Sequence, residues 1–243
     1  MRALLAQSAA EVRMTIRRGE TLLLTLAIPV LLEVFFSLAA VVRTPTAHRV
    51  DFIAPGVLAL AVLSTSMVAL SIATGFERSY GVLRRLHVTP LGRRRLVGAK
   101  IVGVVVTEAI QVVVIALVGL TLGWRPHGGL PGGLVTALVL VLGSAGLAGI
   151  GLGLAGQLRA EVNLAASNGL YLVLLLVSGV VVPLSSLPSA LGRVAVALPS
   201  GAMADAVHRV LGSGLAPSGA DWLSLAVWAL AAPLLAARTF RLD

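Results

Sequence analysis

The sequence contains no cysteine and few charged residues. Without cysteine, the 243-residue chain can form neither disulfides nor iron–sulfur clusters, and it has no thiol for catalysis. Only 12% of its residues are charged, whereas 58% are hydrophobic and the mean hydropathy is +0.99. Soluble domains contain about 25% charged residues. This chain has too few charges to cover a water-exposed surface, so lipid must form part of its surroundings.

The sequence also lacks the motifs of nucleotide, metal and nucleophile chemistry. It contains no G-x-x-x-x-G-K-[ST] loop and therefore predicts no P-loop ATP site. GLGLAG, residues 151–156, matches the dinucleotide fingerprint in form but lies inside an apolar run. Gly149 and Gly153, at the i, i+4 spacing and with Gly146 and Gly156 nearby, indicate a helix-packing face instead. His48, His87, His127 and His208 lack ligand spacing. We therefore expect no enzyme activity, no metal and no cofactor.

Long apolar runs are what the sequence has instead. A helix needs about 20 apolar residues to cross a hydrocarbon core about 30 Å thick. Six runs approach or exceed this length, and the last is extended by residues from Ser218 onward. The predicted spans are Thr21–Val42, Phe52–Gly75, Leu96–Leu122, Leu134–Leu158, Leu164–Val182 and Trp222–Ala237. The predicted fold is one all-α polytopic membrane domain over residues 1–243, which begins with an amphipathic interface segment at 1–20.

The positive charges predict the orientation of these spans. With a cytoplasmic N-terminus, fourteen basic residues fall on the cytoplasmic side: Arg2, Arg13, Arg17, Arg18, Arg78, Arg84, Arg85, Arg93, Arg94, Arg95, Lys100, Arg159, Arg238 and Arg241. Five remain outside: Arg43, Arg49, Arg125, Arg193 and Arg209. Cytoplasmic loops are enriched in Lys and Arg, so both termini are predicted to be cytoplasmic.

A basic island, FERSYGVLRRLHVTPLGRRR at residues 76–95, separates the second and third spans. It contains six of the arginines. Phe76, Tyr80, Leu83 and His87 recur at helical spacing, while Arg78, Arg84 and Arg85 take other faces. This pattern predicts a short cytoplasmic amphipathic helix that lies on the membrane or docks into a partner. The simpler alternative is a loop that only sets the topology.

Glu33 and Glu108 interrupt the apolar interior, near the middle of the first and third predicted spans. A charge at the bilayer centre costs about 2.5 to 3.5 kcal/mol on insertion scales, so such residues usually face a bundle interior or a wet cavity. We predict that both line a translocation pathway. The alternative is a neutral, hydrogen-bonded carboxyl that serves packing.

Four motifs in order resemble the membrane subunit of ABC-2 type exporters. The first is the proline-bearing first helix, RRGETLLLTLAIPVLLEVFF, and the second is DFIAPGVLAL, similar to the family's Y-x-x-P-G-[IL]. In the basic island, Glu77, Arg78, Gly81, Leu86, Thr89 and Pro90 match the pattern E-R-E-x-G-T-[LW]-E-x-L-x-x-[TS]-P. The fourth, SGVVVPLSSLPSALGRVAVALPSGAMADAVHRVL, is similar to the family's outer segment, with Leu198 where the family often has Asn and Ser189 and Ala190 where it has an aromatic residue.

The resemblance implies roles for these segments. Residues 77–90 would be the coupling helix that seats in a separate ATPase subunit, through Glu77, Arg78, Tyr80, Gly81, Leu83, Arg84, Arg85, Leu86, Thr89 and Pro90. Residues 184–212 would form an outer re-entrant hairpin broken at Pro188 and Pro199, and the outer gate would include Pro183, Pro188 and Pro199. ATP would be bound only by the partner.

The sequence therefore predicts the permease subunit of a bacterial plasma-membrane exporter for a drug, lipid or glycolipid. It would pair with itself or with a sister chain and bind no nucleic acid. Two alternatives stay open at this point: a proton-coupled secondary transporter that uses Glu33 and Glu108, and a membrane scaffold that binds anionic lipid through the basic island.

Overall fold

A computed structural model describes residues 7, 11–13, 19–39, 46, 48–83, 92–180 and 188–240, with only the backbone of 19–24. Within these residues all regular structure is helical. The helices are α1 Gly19–Leu38, α2 Val50–Ser79, α3 Gly92–Thr121, α4 Gly129–Ala155, α5 Ala160–Val177, α6 Ser189–Ala197, α7 Pro199–Gly212 and α8 Gly219–Thr239. Two π-helical turns interrupt this pattern, at Leu63–Ala69 in α2 and at His208–Gly212 in α7.

Five helices, α2, α3, α4, α5 and α8, are long and apolar enough to cross a membrane singly, and the bent pair α6–α7 would make a sixth if it counted as one span. The chain is thus an all-α polytopic membrane protein. α1 runs for 20 residues, but its apolar described part, Thr25–Leu38, is shorter than a span. The predicted limit of this span at Val42 falls outside the described residues. The last predicted span extends as expected, because Ser218 and Asp221 cap α8 reciprocally.

The basic island differs from its prediction at both ends. α2 continues through Ser79, and α3 begins at Gly92, so Glu77 and Arg78 end one spanning helix while Arg93, Arg94 and Arg95 begin the next. The predicted helix at 77–90 therefore does not start at Glu77. A turn at Tyr80 and Gly81 comes first, with Gly81 at φ +71°. Glycine adopts positive φ without the steric cost that a β-carbon brings.

The bundle has two ends, which we name after a residue near each. At the Asp51 end, the Asp51 carboxylate accepts a hydrogen bond from the Arg125 backbone N–H, and the His127 N–H donates to the Leu211 carbonyl. At the Lys100 end, α2, α4 and α8 end and α3 and α5 begin. The charge distribution predicts that the Asp51 end is outside and that the Lys100 end is cytoplasmic.

Hydrogen bonds tie the helices together halfway between these ends. The Thr25 carbonyl of α1 accepts from the Gln111 side-chain amide of α3, whose carbonyl oxygen accepts from the Thr65 hydroxyl of α2. Nearer the Lys100 end, the Asn163 amide of α5 donates to the Ser71 carbonyl and accepts from the Ser71 hydroxyl. Such interhelical bonds each contribute about 0.6 to 2 kcal/mol in membranes.

Glycines on α4 let α8 approach closely. A β-carbon at Gly149 would lie 2.5 Å from the backbone of Ala232 and Pro233, and one at Gly146 would lie 3.0 Å from Trp228. Gly156 meets Phe240 in the same way, at 2.6 Å. The predicted packing face is therefore present, except for Gly153, whose side faces open space.

The described residues on the two sides of the α6–α7 pair, Val180 and Gly212, lie near the same end of the bundle. α6 and α7 meet at a bend of 96°. The Val180 carbonyl lies 2.9 Å from the β-carbon position of Gly56, and the β-carbon position of Gly212 lies 3.7 Å from the Asp51 carbonyl. Both belong to the first turns of α2. The bend lies deeper, since the Ala197 carbonyl accepts from the Trp228 indole of α8. The described part of the segment therefore doubles back; that it does so on the outer side stays a prediction.

The orientation can be tested with single cysteines, because the chain contains none of its own. We expect Arg93→Cys and Arg159→Cys to be labelled by a membrane-impermeant maleimide only after the cells are opened. Arg49→Cys and Arg125→Cys should be labelled on intact cells. Labelling of Arg93→Cys on intact cells would show that the predicted orientation is wrong, and the mechanism that depends on it would then fail.

Candidate functional site

Lys100 is the centre of the Lys100 end. Its side chain is only 2% exposed and lies two turns into α3. The ammonium donates to Glu77 Oε2 at 2.6 Å and lies 3.4 Å from Glu11 Oε1. The side chain of Glu11 packs on α3 as well, because its Cβ lies 2.9 Å from the β-carbon position of Gly103. One ammonium therefore joins the N-terminal segment, the end of α2 and α3.

Arg78 and Leu83 fasten the same segment to two further helices. The Arg78 guanidinium donates from Nη1 to the Ala155 carbonyl at 2.8 Å, at the C-terminus of α4. A cation is favoured there because the last carbonyls of a helix are unsatisfied and carry partial negative charge. Leu83 is fully buried in a cluster with Leu96, Val97, Leu152, Ala236, Ala237 and Phe240. The segment after α2 is thus held by α3, α4 and α8.

Tyr80 and Leu83 do not share a face, contrary to the sequence prediction. Tyr80 is 74% exposed and stacks on Phe76 with ring centroids 6.1 Å apart, whereas Leu83 points into the core. Val82 is also exposed, at 43%. The helical spacing fails because the turn at Gly81 breaks the period between the two residues. Among the described residues of this segment, the surface available to a partner is therefore Tyr80 and Val82, with Leu83 as its anchor.

Part of the predicted coupling site lies outside the described residues, namely Arg84, Arg85, Leu86, Thr89 and Pro90. The three arginines that open α3 are exposed: Arg93, Arg94 and Arg95. Exposed apolar side chains and a row of arginines thus lie at the same end of the bundle. Such a surface suits a partner protein with a hydrophobic groove and an acidic rim.

Glu33 lies nearer the Asp51 end than its predicted mid-span position. Thr25 marks the halfway layer of hydrogen bonds, and Glu33 is eight residues further on, about 12 Å along the helix. Its carboxylate packs against Gly119, with Oε1 2.8 Å from the β-carbon position there, and Trp124 Cε3 lies 3.0 Å from the same position. Glu33 is fully buried, and neither oxygen has a partner in the described part of the chain.

Glu108 lies in a different place. It is 4% exposed near the halfway layer and lies beside Ser144 of α4. Glu108 Oε1 and Ser144 Oγ have no hydrogen-bond partner among the described residues. Eleven residues of α3, about 16 Å, separate Glu108 from the glycine that contacts Glu33. The structure therefore does not bring the two predicted pathway carboxylates together in one chain, which removes the geometric basis for a shared proton site.

The prolines of the predicted outer gate shape the pair α6–α7. Pro188 precedes the first residue of α6, and Pro199 is the first residue of α7, a position that tolerates the missing N–H. Pro183 lies outside the described residues. Gly201 fits the bend closely, since a β-carbon there would collide with the Ala195 carbonyl. Tight packing thus holds the bend.

Sequence reasoning missed Lys100 as a site residue and counted it only as a topology signal. The signal was present, because a lysine within an apolar span needs a carboxylate partner, and Glu77 is the nearest acid before it in the sequence. Glu11 could not have been found in this way, since its contact depends on how the N-terminal segment packs on α3.

The fold and this site define a polytopic membrane subunit. At one end it has a partly apolar surface that is connected to several helices. The family model for the ABC-2 type transporter matches residues 2–211. The chain therefore belongs to the ABC-2 type transporter family and is a membrane component of a transporter. Members of this family in general associate with an ABC ATPase and dimerise. No curated protein matches the sequence.

Proposed function

We propose that this chain is the permease subunit of a bacterial plasma-membrane exporter that moves a lipophilic or amphiphilic compound. Two permease chains, identical or sister chains, would form the route, and separate subunits would bind and hydrolyse ATP. The family membership and the apolar bundle support this proposal. The observation that carries it is the connection of the exposed Tyr80 surface to several helices.

That connection gives the surface a way to act on the bundle. A partner bound to Tyr80 and Val82 would move Leu83, Arg78 and Glu77 with it. These residues contact α8, α4 and α3 respectively, so one docking event would reach three further helices. A loop that only determines topology needs none of these attachments.

Glu33 and Glu108 enter the proposal as groups that meet substrate during transport. Both are buried in the present arrangement, so α1 and α3 would have to separate before Glu33 could reach a route between two chains. A cationic or polar part of an amphiphile would then be its partner.

Docking through Tyr80 can be separated from packing by two substitutions. We expect Tyr80→Ser to leave Tm unchanged, because the side chain is largely exposed, and to reduce ATPase copurification and transport-coupled ATP hydrolysis severalfold. Leu83→Ala should instead lower the stability by about 2 to 5 kcal/mol, as for other buried leucines. The measurements are Tm, pull-down of the ATPase and ATP hydrolysis of the complex.

Normal ATPase binding and coupling in the Tyr80→Ser protein would contradict docking at this surface. Ser79→Ala serves as a matched control, since Ser79 is an exposed neighbour whose hydroxyl, within the described part of the chain, bonds only to the Phe76 carbonyl of its own helix.

A further inference from the structure

A cavity of about 760 Å³ lies at the Asp51 end, between α6 and α8 and beside α7. Its lining consists of Ser189, Gly192, Arg193, Val196, Ala197, Asp205, Ser218, Ala220, Leu223, Ser224, Val227 and Trp228. It is remote from the Lys100 end and contains neither Glu33 nor Glu108. The candidate site described above therefore gives this cavity no role.

The walls of the cavity suit a hydrocarbon chain. Leu223 and Val227 are 67% and 52% exposed, so the apolar lining continues onto the lipid-facing surface of α8. Trp228 donates its indole N–H to the Ala197 carbonyl and Ser224 its hydroxyl to the same oxygen, so these polar groups are already satisfied. What remains is an apolar slot that is open toward the membrane.

Charges of both signs lie at this slot. Arg193 is exposed and forms no ion pair with any described residue. Asp205 lies beside Asp221 and near Arg209, whose Nε donates to the Ala216 carbonyl. Asp221 is fully buried and does not line the cavity; its Oδ2 accepts from the Ser218 N–H and hydroxyl. Asp205 does line the cavity, and its carboxylate can accept hydrogen bonds from a ligand that brings N–H groups.

We propose that this cavity binds a phospholipid with an ethanolamine head group. Its ammonium meets Asp205, its phosphate meets Arg193, and one acyl chain fills the slot along α8. A primary ammonium carries three N–H donors that the Asp205 carboxylate can accept, whereas the quaternary ammonium of choline carries none. A purely anionic head group would offer Asp205 no cation, and a lipophilic cation without phosphate would leave Arg193 unpaired. This lipid site goes beyond the transport role, because it requires neither substrate nor ATPase.

The test is native mass spectrometry of the full-length protein, purified with its partner subunits and titrated with four lipids that share the same acyl chains. These are phosphatidylethanolamine, phosphatidylcholine, phosphatidylglycerol and a trimethylammonium-propane lipid. We expect phosphatidylethanolamine to bind about tenfold more tightly than the other three, since one charge-assisted hydrogen bond corresponds to about a factor of ten.

Three variants locate the site. Asp205→Asn and Arg193→Gln should each weaken phosphatidylethanolamine binding about tenfold. Val227→Trp, which fills the slot from the lipid side, should weaken all four lipids. Arg125→Gln, an exposed arginine at the same end that does not line the cavity, is the control and should bind as the wild type does. Equal binding of all lipids, preference for phosphatidylglycerol or the trimethylammonium lipid, or unchanged binding in the Asp205 and Arg193 variants would overturn the proposal.

Discussion

Gly149→Ala is expected to lower the Tm of the purified protein by about 2 to 12 °C, since overpacking costs about 1 to 3 kcal/mol and each kcal/mol moves Tm by about 2 to 4 °C at this size. The new methyl carbon would lie 2.5 Å from the Ala232 carbonyl carbon and the Pro233 nitrogen. Both atoms belong to the backbone of α8, so no side chain can rotate away. α4 and α8 would have to separate along their shared face.

Gly153→Ala is the matched control for this prediction. It adds the same methyl group to the same helix, one turn away, and nothing lies within 4 Å of the new atom. Because alanine favours helix over glycine by about 0.5 to 1 kcal/mol, this variant should be as stable as the wild type or slightly more stable. Thermal unfolding of both variants in one detergent measures the difference. Equal Tm values would mean that close approach of α4 and α8 does not stabilise the bundle.

Lys100→Met should have the second large effect. Removing one partner of a buried ion pair costs about 3 to 5 kcal/mol because the remaining charge is left without compensation. Here two carboxylates remain, Glu11 and Glu77, which are 14% and 22% exposed. The N-terminal segment and the end of α2 would repel each other at the point where the ammonium held them. We expect a lower Tm and a protease-sensitive Lys100 end.

A triple variant separates stability from coupling. Glu11→Gln, Glu77→Gln and Lys100→Met together remove every charge of the cluster, so most of the lost stability should return. Transport-coupled ATP hydrolysis should stay low, since α2 and α3 are no longer joined by an ion pair. Arg93→Gln, which removes an exposed positive charge at the same end, should change the stability by less than about 0.5 kcal/mol. A Lys100→Met protein as stable as Arg93→Gln would show that the cluster contributes little.

The spans could be predicted from the sequence because apolar runs of this length have few alternatives in a chain with so little charge. The end of α2 could not, because hydropathy falls at Phe76 while the helix continues to Ser79. The charged residues there stay helical since Glu77 and Arg78 find partners on α3 and α4. Lys100 could have indicated the partner of Glu77, but the Ala155 carbonyl that accepts from Arg78 is distant in sequence, and one sequence does not reveal it.

The candidate site was predictable in location but not in orientation. Helical spacing placed Tyr80 and Leu83 on one face, and a single glycine in a positive-φ turn separated them. Glu33 was predicted at mid-span by counting from an apolar run that ends at Val42. Its position across the membrane depends instead on how α1 packs against α3. Glu33 contacts Gly119, and the Thr25 carbonyl accepts a hydrogen bond from Gln111.

The π-helical turn in α2 separates a tightly packed half of that helix from a half that is buried at few positions. Between Val50 and Val62 every residue except Asp51 is buried, so this half is clamped on all sides. Between Leu70 and Ser79 only Ser71, Thr74 and Gly75 are buried, and this half is attached near Tyr80 through Glu77 and Arg78. A helix that is pushed near one end deforms where its hydrogen-bond ladder is weakest, and π-turns have a disrupted ladder. Deflection applied at Tyr80 is therefore concentrated at Leu63–Ala69, where Thr65 contacts Gln111 and Gly151 of α4 lies against Met67.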